Sequence, residues 1–212
     1  MKLITKSNLL IAIPILAIIT HYLIVLSLNT TEIKLNEFDL ISVVLLSIFI
    51  FIFSFIEELI FRKGLLDALG NTYKSIFINS VIFSIIHIFN AGFFPIALAV
   101  TFLISVLLCL IKIYSGFRQC VYIHFLWNWV VAVLLSDNLS GISVSEMLGK
   151  DFPFLINSTI FQLSYLDSFW LGSNYGLENG VIVLIVLIFG VSIHFNEIRN
   201  IGFKNTIKPA IN

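Results

Sequence analysis

Charge is scarce in this chain. Only 11% of its 212 residues are Asp, Glu, Lys or Arg, and 12 acidic residues balance 12 basic ones. No basic run occurs, which excludes the electrostatic footprint of a nucleic-acid-binding protein and a polybasic lipid-binding tail. Cysteine is limited to Cys109 and Cys120. Both fall in or beside apolar stretches, so buried thiols are the simplest reading and no disulfide framework is expected. Internal repeats, low-complexity tracts and domain linkers are absent, so the chain reads as one domain over residues 1–212. There is also no H-E-x-x-H sequence to signal a zinc-binding helix.

Apolar residues dominate instead: 59% of the chain is hydrophobic, with 21 Phe and a mean hydropathy of +1.05. A soluble core of this size cannot bury that much apolar surface, so an integral membrane protein is expected. A membrane helix needs roughly 20 mostly apolar residues. Candidate spans lie near residues 9–28, 38–61, 75–93, 95–114, 119–136 and 179–196. The expected fold is therefore all-α, a polytopic bundle of about six spans. The first apolar stretch is too long for a signal-peptide core and ends without a cleavage-like site, so it reads as a retained anchor. Asn90-Ala-Gly92-Phe-Phe-Pro95 supplies turn chemistry between the third and fourth spans.

Basic residues set the expected orientation, because Lys- and Arg-rich loops stay in the cytoplasm. With both termini inside, Lys2, Lys6, Arg62, Lys63, Lys74, Lys112, Arg118, Arg199, Lys204 and Lys208 are cytoplasmic, leaving Lys34 and Lys150 outside. Residues 138–178 then form an outer loop. Its apolar part, from Phe152, is interrupted by Asn157, Ser158, Thr159 and Gln162, and reads as an interfacial helix rather than a seventh span. The acidic residues Asp137, Glu146, Asp151, Asp167 and Glu178 read as its solvated face, and Tyr114, Tyr122, Tyr165, Trp170 and Tyr175 as interfacial anchors.

Against this background three polar clusters stand out: Glu57-Glu58 with Arg62, His87 in Phe83-Ser-Ile-Ile-His87, and His124 with Asn128. Charge in hydrocarbon costs at least ~2.5 kcal/mol per side chain, so such groups point to function. Helical spacing puts Glu58 and Arg62 on one face as an ion pair and leaves Glu57 about 100° away. At ~1.5 Å per residue, Glu57 lies about 7 Å below Arg62 and His124 about 9 Å below Arg118, both in the cytoplasmic third. His87 is ~19 Å past Lys74 by the same rise, which is consistent only if the third span begins in the cytosol.

One carboxylate and two imidazoles leave two hydrolytic chemistries open. Glu57, His87 and His124 can ligate Zn²⁺ with water in the fourth position. Alternatively, Glu57 acts as general base on a water positioned by His87, with His124 and Asn128 stabilising the oxyanion. A proton or ion relay would call for further acidic groups at mid-membrane and a hydropathy repeat, and neither is present. His21 and His194 read as packing residues, as do Trp127 and Trp129 or else as an aromatic belt.

Glu57-Glu58-Leu-Ile-Phe61-Arg62 resembles the E-E-x-x-x-R motif of the CPBP family (CAAX proteases and bacteriocin-processing enzymes, also called Abi). Phe83-x-x-x-His87 resembles its F-x-x-x-H motif and His124-x-x-x-Asn128 its H-x-x-x-N motif. The resemblance covers about residues 38–136 and extends to Gly176-Leu-Glu-Asn179. Lys63 stands where that family commonly has glycine, a departure that snorkelling to the interface accommodates. The resemblance implies a multi-pass intramembrane endopeptidase, described both as a metalloprotease and as a metal-free glutamate enzyme. It also implies Glu57 as catalytic glutamate, His87 as its partner in activating water, His124 and Asn128 as the oxyanion pair, and Glu58 with Arg62 as support. A non-catalytic membrane scaffold or bacteriocin self-immunity protein is the rival within the same family. The Ile-, Asn- and Lys-rich composition points to an AT-rich bacterial genome, hence a plasma-membrane enzyme whose substrate is a bacteriocin-type or membrane-bound peptide.

Overall fold

The computed structural model describes residues 6–27, 32–90, 95–135, 138–155, 158–164, 170, 172 and 175–194. Lys2, residues 91–94, Asp137, Tyr165, Asp167, Arg199, Lys204 and Lys208, and the expectations for them, lie outside these residues. Each of the six apolar stretches forms a helix: α1 (Lys6–Ser27), α2 (Leu40–Glu58), α4 (Tyr73–Ile86), α5 (Pro95–Ser115), α6 (Phe117–Trp129) and α8 (Val181–Ile193). One short turn, α3 (Asp67–Leu69), joins α2 to α4. The element from Leu40 to Leu69 and helix α5 are long and apolar enough to cross a membrane, whereas Leu10–Ile24, Tyr73–Phe89 and Val181–Ile193 are apolar but shorter.

Local chemistry sets the boundaries. Asp39 caps α2, its Oδ2 accepting from the Ser42 backbone N–H at 2.8 Å and the Ser42 hydroxyl at 2.7 Å. The ionised form makes those bonds, so they hold the Asp39 carboxyl below its ordinary value. Thr72 caps α4 through the Ser75 N–H. Between α5 and α6 the chain reverses at Gly116, whose φ of 97° favours glycine.

Helix α5 forms the centre of the bundle, packed against α1, α4, α6 and α8. Its continuous buried stretch from Ile104 to Ile111 anchors the larger hydrophobic core, which Leu10, Ala17, Ile123 and Leu187 complete from neighbouring helices. Helix α2 packs mainly on α6 and leaves Ile41, Val44, Ile48, Phe51, Ile52 and Phe55 exposed, a lipid-grade face.

Two π-helical segments adjoin the motif residues. Leu59–Leu66 follows Glu57 and Glu58 as π-helix, and Val130–Leu134 follows Asn128 likewise. Such segments, with hydrogen bonds to i+5, concentrate at functional sites.

The connection across residues 138–178 differs from expectation. Its described helix is α7 (Val144–Asp151), while the expected interfacial helix beyond Phe152 is replaced by a 3₁₀ turn at Pro153–Leu155 and strand β2 (Phe161–Ser164). β2 pairs antiparallel with β1 (Glu32–Leu35), so among the described residues an otherwise helical fold carries one two-stranded ribbon. Thr and Gln interruptions break helical amphipathicity, and the β1 segment supplies the backbone partners that a lone strand would lack. Asn36 extends the tie, its side chain donating to Thr159 Oγ1 at 2.9 Å.

Candidate active site

Glu58 is fully buried and sits at the centre of a polar knot. Its Oε2 lies 3.2 Å from Arg62 Nε and accepts from the Cys120 thiol at 2.8 Å, while its Oε1 is 2.8 Å from His124 Nδ1. Arg62, also fully buried, donates through Nη1 to Asn79 Oδ1 at 2.7 Å and stands 4.8 Å from the Phe83 ring centroid, a cation–π geometry. Asn79 in turn donates to the Phe61 carbonyl at 2.6 Å, locking α4 to the π-segment. The i, i+4 pair expected from sequence thus exists, and it reaches further than expected because Glu58 also orients an imidazole.

That contact fixes His124. A carboxylate accepts, so Nδ1 carries the proton and Nε2 is turned toward Glu57, whose Oε2 lies 3.4 Å away. Glu57 itself is partly exposed, with 39% of its side chain accessible, in keeping with its different helical face. His87 is held comparably: its Nδ1 donates to the Phe83 carbonyl at 2.7 Å, which leaves Nε2 as the available nitrogen. Asn128 donates one amide N–H to Ser54 Oγ at 3.0 Å. Ser54 was not singled out in the sequence, although it lies on the Glu58 face of α2, one turn earlier.

Glu57, His87, His124 and Asn128 all line one cavity of about 260 Å³. Phe83, Ile50, Phe53, Ile86 and Ile104 supply apolar walls. Depth no longer separates His87 from the others: α4 begins at Tyr73 and delivers His87, in a 3₁₀ turn at its end, to the same cavity.

Two residues of the outer connection depart from expectation. Glu178 is not part of a solvated face; it is 4% exposed, lines the cavity, and accepts from Trp127 Nε1 at 3.1 Å and from the Ser140 hydroxyl at 2.5 Å. Tyr175 is not an interfacial anchor; it is fully buried and its hydroxyl donates to the His87 carbonyl at 3.4 Å. Burial, and after it the Glu178 charge, push the phenol upward, keeping it a protonated donor. Trp127 is accordingly a cavity residue, whereas Trp129 packs with its Nε1 on Ser47 at 2.8 Å. His21 and His194 are buried on α1 and α8, away from the cavity lining. Tyr114, Tyr122 and Trp170 are exposed.

Among the described residues no three His, Cys, Asp or Glu side chains are grouped to hold a metal ion. Glu57, His87 and His124 share the cavity, and with each Nδ1 bound to a protein acceptor the two Nε2 atoms are the nitrogens left for a water or an ion.

An α-helical bundle of membrane-grade composition, enclosing a glutamate beside two oriented imidazoles, has the equipment of a membrane-embedded hydrolase. Over residues 39–130 the chain matches the family model of type II CAAX prenyl endopeptidase Rce1-like. All three motifs fall inside that segment. The motif-bearing core is thus similar to the CAAX endopeptidase family that its residues resemble. No curated protein and no solved structure matches the chain.

Proposed function

We propose that this chain is an intramembrane endopeptidase that hydrolyses a peptide bond near the cytoplasmic face with Glu57 as general base. The observation that carries the reading is the 3.4 Å contact between Glu57 and His124 in a cavity that His87 and Asn128 also line. Water held between Glu57 and His87 Nε2 gives its proton to Glu57 as its oxygen attacks the substrate carbonyl carbon. The resulting oxyanion accepts from the Asn128 amide N–H that Ser54 does not use, and from His124 when its imidazole carries a proton on Nε2 as well as on the Nδ1 that Glu58 holds. Glu57 then returns the proton to the leaving amine as the C–N bond breaks. Glu58 is a positioning residue in this scheme. It fixes the His124 tautomer and is balanced by Arg62.

The setting proposed with this chemistry is a six-span chain with both termini cytoplasmic, in a bacterial plasma membrane. The skewed distribution of basic residues supports that topology. Helix length supports it too: thirty residues from Leu40 span up to ~45 Å at 1.5 Å each, more than a ~30 Å hydrocarbon layer, so the π-segment emerges toward the cytoplasm. The substrate class is a bacteriocin-type or membrane-anchored peptide.

Reconstituted protein and its Glu57→Gln variant, assayed on membrane-anchored peptides, test the reading. Loss of cleavage by about 10³-fold with unchanged melting is expected for a missing general base. Retention of the biological phenotype by Glu57→Gln would instead identify a scaffold or immunity protein. Metal assistance has its own arm: activity lost on chelation and restored by Zn²⁺ would add a metal to the scheme, while full activity after chelation leaves Glu57 acting directly.

A further inference from the structure

Within the cavity, two carboxylates face the space where a peptide would lie, and their surroundings differ. Glu57 adjoins His124, and Arg62 balances Glu58 behind it. Glu178 has no cationic partner among the described residues: its contacts are the Trp127 N–H and the Ser140 hydroxyl, both neutral. Among the described residues no Lys or Arg lines the cavity, and the basic groups that do are His87 and His124. A carboxylate that is 4% exposed is costly unless a partner compensates it, and neutral donors do so only in part. The backbone leading to Glu178 is closely packed nonetheless. Gly176, at a φ of 97°, packs so closely on Asn138 that an added Cβ would meet its carbonyl oxygen at 1.9 Å, and the 3₁₀ turn Leu177–Asn179 follows directly.

We propose that Glu178 is a specificity-determining residue that receives the cationic side chain of a Lys or Arg in the substrate. The proposal rests on the endopeptidase reading above and names the substrate class of that same site. Trp127, which donates to Glu178, is three residues past His124 on α6, ~4.5 Å along the axis. An extended peptide advances ~3.3 Å per residue. The cation therefore belongs one or two residues from the scissile bond. The flanking Trp127 ring and the walls Ile104, Leu139 and Ile142 fit the aliphatic stem of such a side chain.

Three matched peptides carrying Lys, norleucine or Glu at that position, presented to the full-length protein in liposomes, decide the matter. Wild type is expected to prefer Lys over norleucine by about tenfold in kcat/KM, chiefly through KM, the factor that a single ion pair of ~1.4 kcal/mol supplies, with the Glu peptide poorest. Glu178→Gln keeps an acceptor for Trp127 while removing the charge, and should bring the Lys-to-norleucine ratio close to one. Equal use of the three peptides by wild type overturns the proposal, whether or not the variant folds. So does a parallel loss for Lys and norleucine peptides in Glu178→Gln, which would mark a structural role. If wild type cleaves none of them, the endopeptidase reading fails, and peptide affinity measured by fluorescence anisotropy still judges the subsite: tighter Lys binding that disappears in Glu178→Gln supports it, and equal affinities refute it.

Discussion

Glu58, behind the cavity, and Glu178, lining it, are both buried carboxylates, yet they are held by opposite means. Glu58 comes from a helix, in register with its counter-charge one turn away, and spreads its two oxygens over Arg62, Cys120 and His124. Glu178 comes from an irregular connection and is held by two neutral donors contributed by α6 and by the segment before α7. The difference teaches what each can do. A neutralised carboxylate is free to orient a neighbour, whereas one with only neutral partners keeps an unspent charge facing the cavity.

The largest expected effect separates these two ends. Glu58→Gln leaves the fully buried Arg62 guanidinium without its counter-charge, a loss of about 3–5 kcal/mol, while Glu178→Gln strands no protein cation and should cost roughly a tenth of that to a third. Thermal melting of the two variants in the same detergent measures the contrast, and equal shifts would break it. Activity sharpens it further. Glu58→Gln can still accept from His124 Nδ1, so the folded fraction should retain much of its specific activity; Glu58→Ala cannot, and should lose activity as well as stability.

Next in size is Gly176→Ala. Backbone strain alone at a positive φ costs about 1–3 kcal/mol, and the close approach to Asn138 adds to it. Because this glycine places the turn that carries Glu178, the variant should melt earlier and lose any Lys preference, leaving the Glu58 knot intact. An unchanged melting temperature would show that the loop end is not rigidly held.

The smallest effect lies outside the cavity. Asp39→Ala removes the N-cap of α2 and should lower the melting temperature slightly at neutral pH. The folded-state carboxyl lies below its ordinary value of 3.8, so the stability linked to its charge is present above that value and is lost as pH falls through the folded-state value. The gap between wild type and variant should narrow in that acidic window. A gap that grows on acidification would contradict the assignment.

Much of the motif end was legible in the sequence because it depends on helical spacing. The i, i+4 relation pairs Glu58 with Arg62 and turns Glu57 aside, and apolar run length located the six helices. Ser54 was recoverable by the same arithmetic, standing one turn before Glu58, but a lone serine in an apolar run carries no signal of its own. The loop end was not legible. Glu178 and Tyr175 read as solvated and interfacial because composition reports only local polarity, while their burial depends on α6, on Ser140 and on the His87 carbonyl, all distant in sequence. The ribbon was missed for a related reason: strand β2 exists because residues 32–35, more than a hundred positions earlier, supply its hydrogen-bond partners.

By itself, then, the sequence determined a helical membrane protein with a glutamate and two histidines on separate helices, since a period of 3.6 residues and the cost of charge in hydrocarbon act within single segments. Tertiary structure alone decided that these helices bring Glu57 to His124, that Glu58 rather than solvent sets the histidine tautomer, and that a loop carboxylate enters the same cavity. Those outcomes depend on distances between side chains far apart in the chain, and only the packing of α2 on α6, and of α4 and α6 on α5, fixes them.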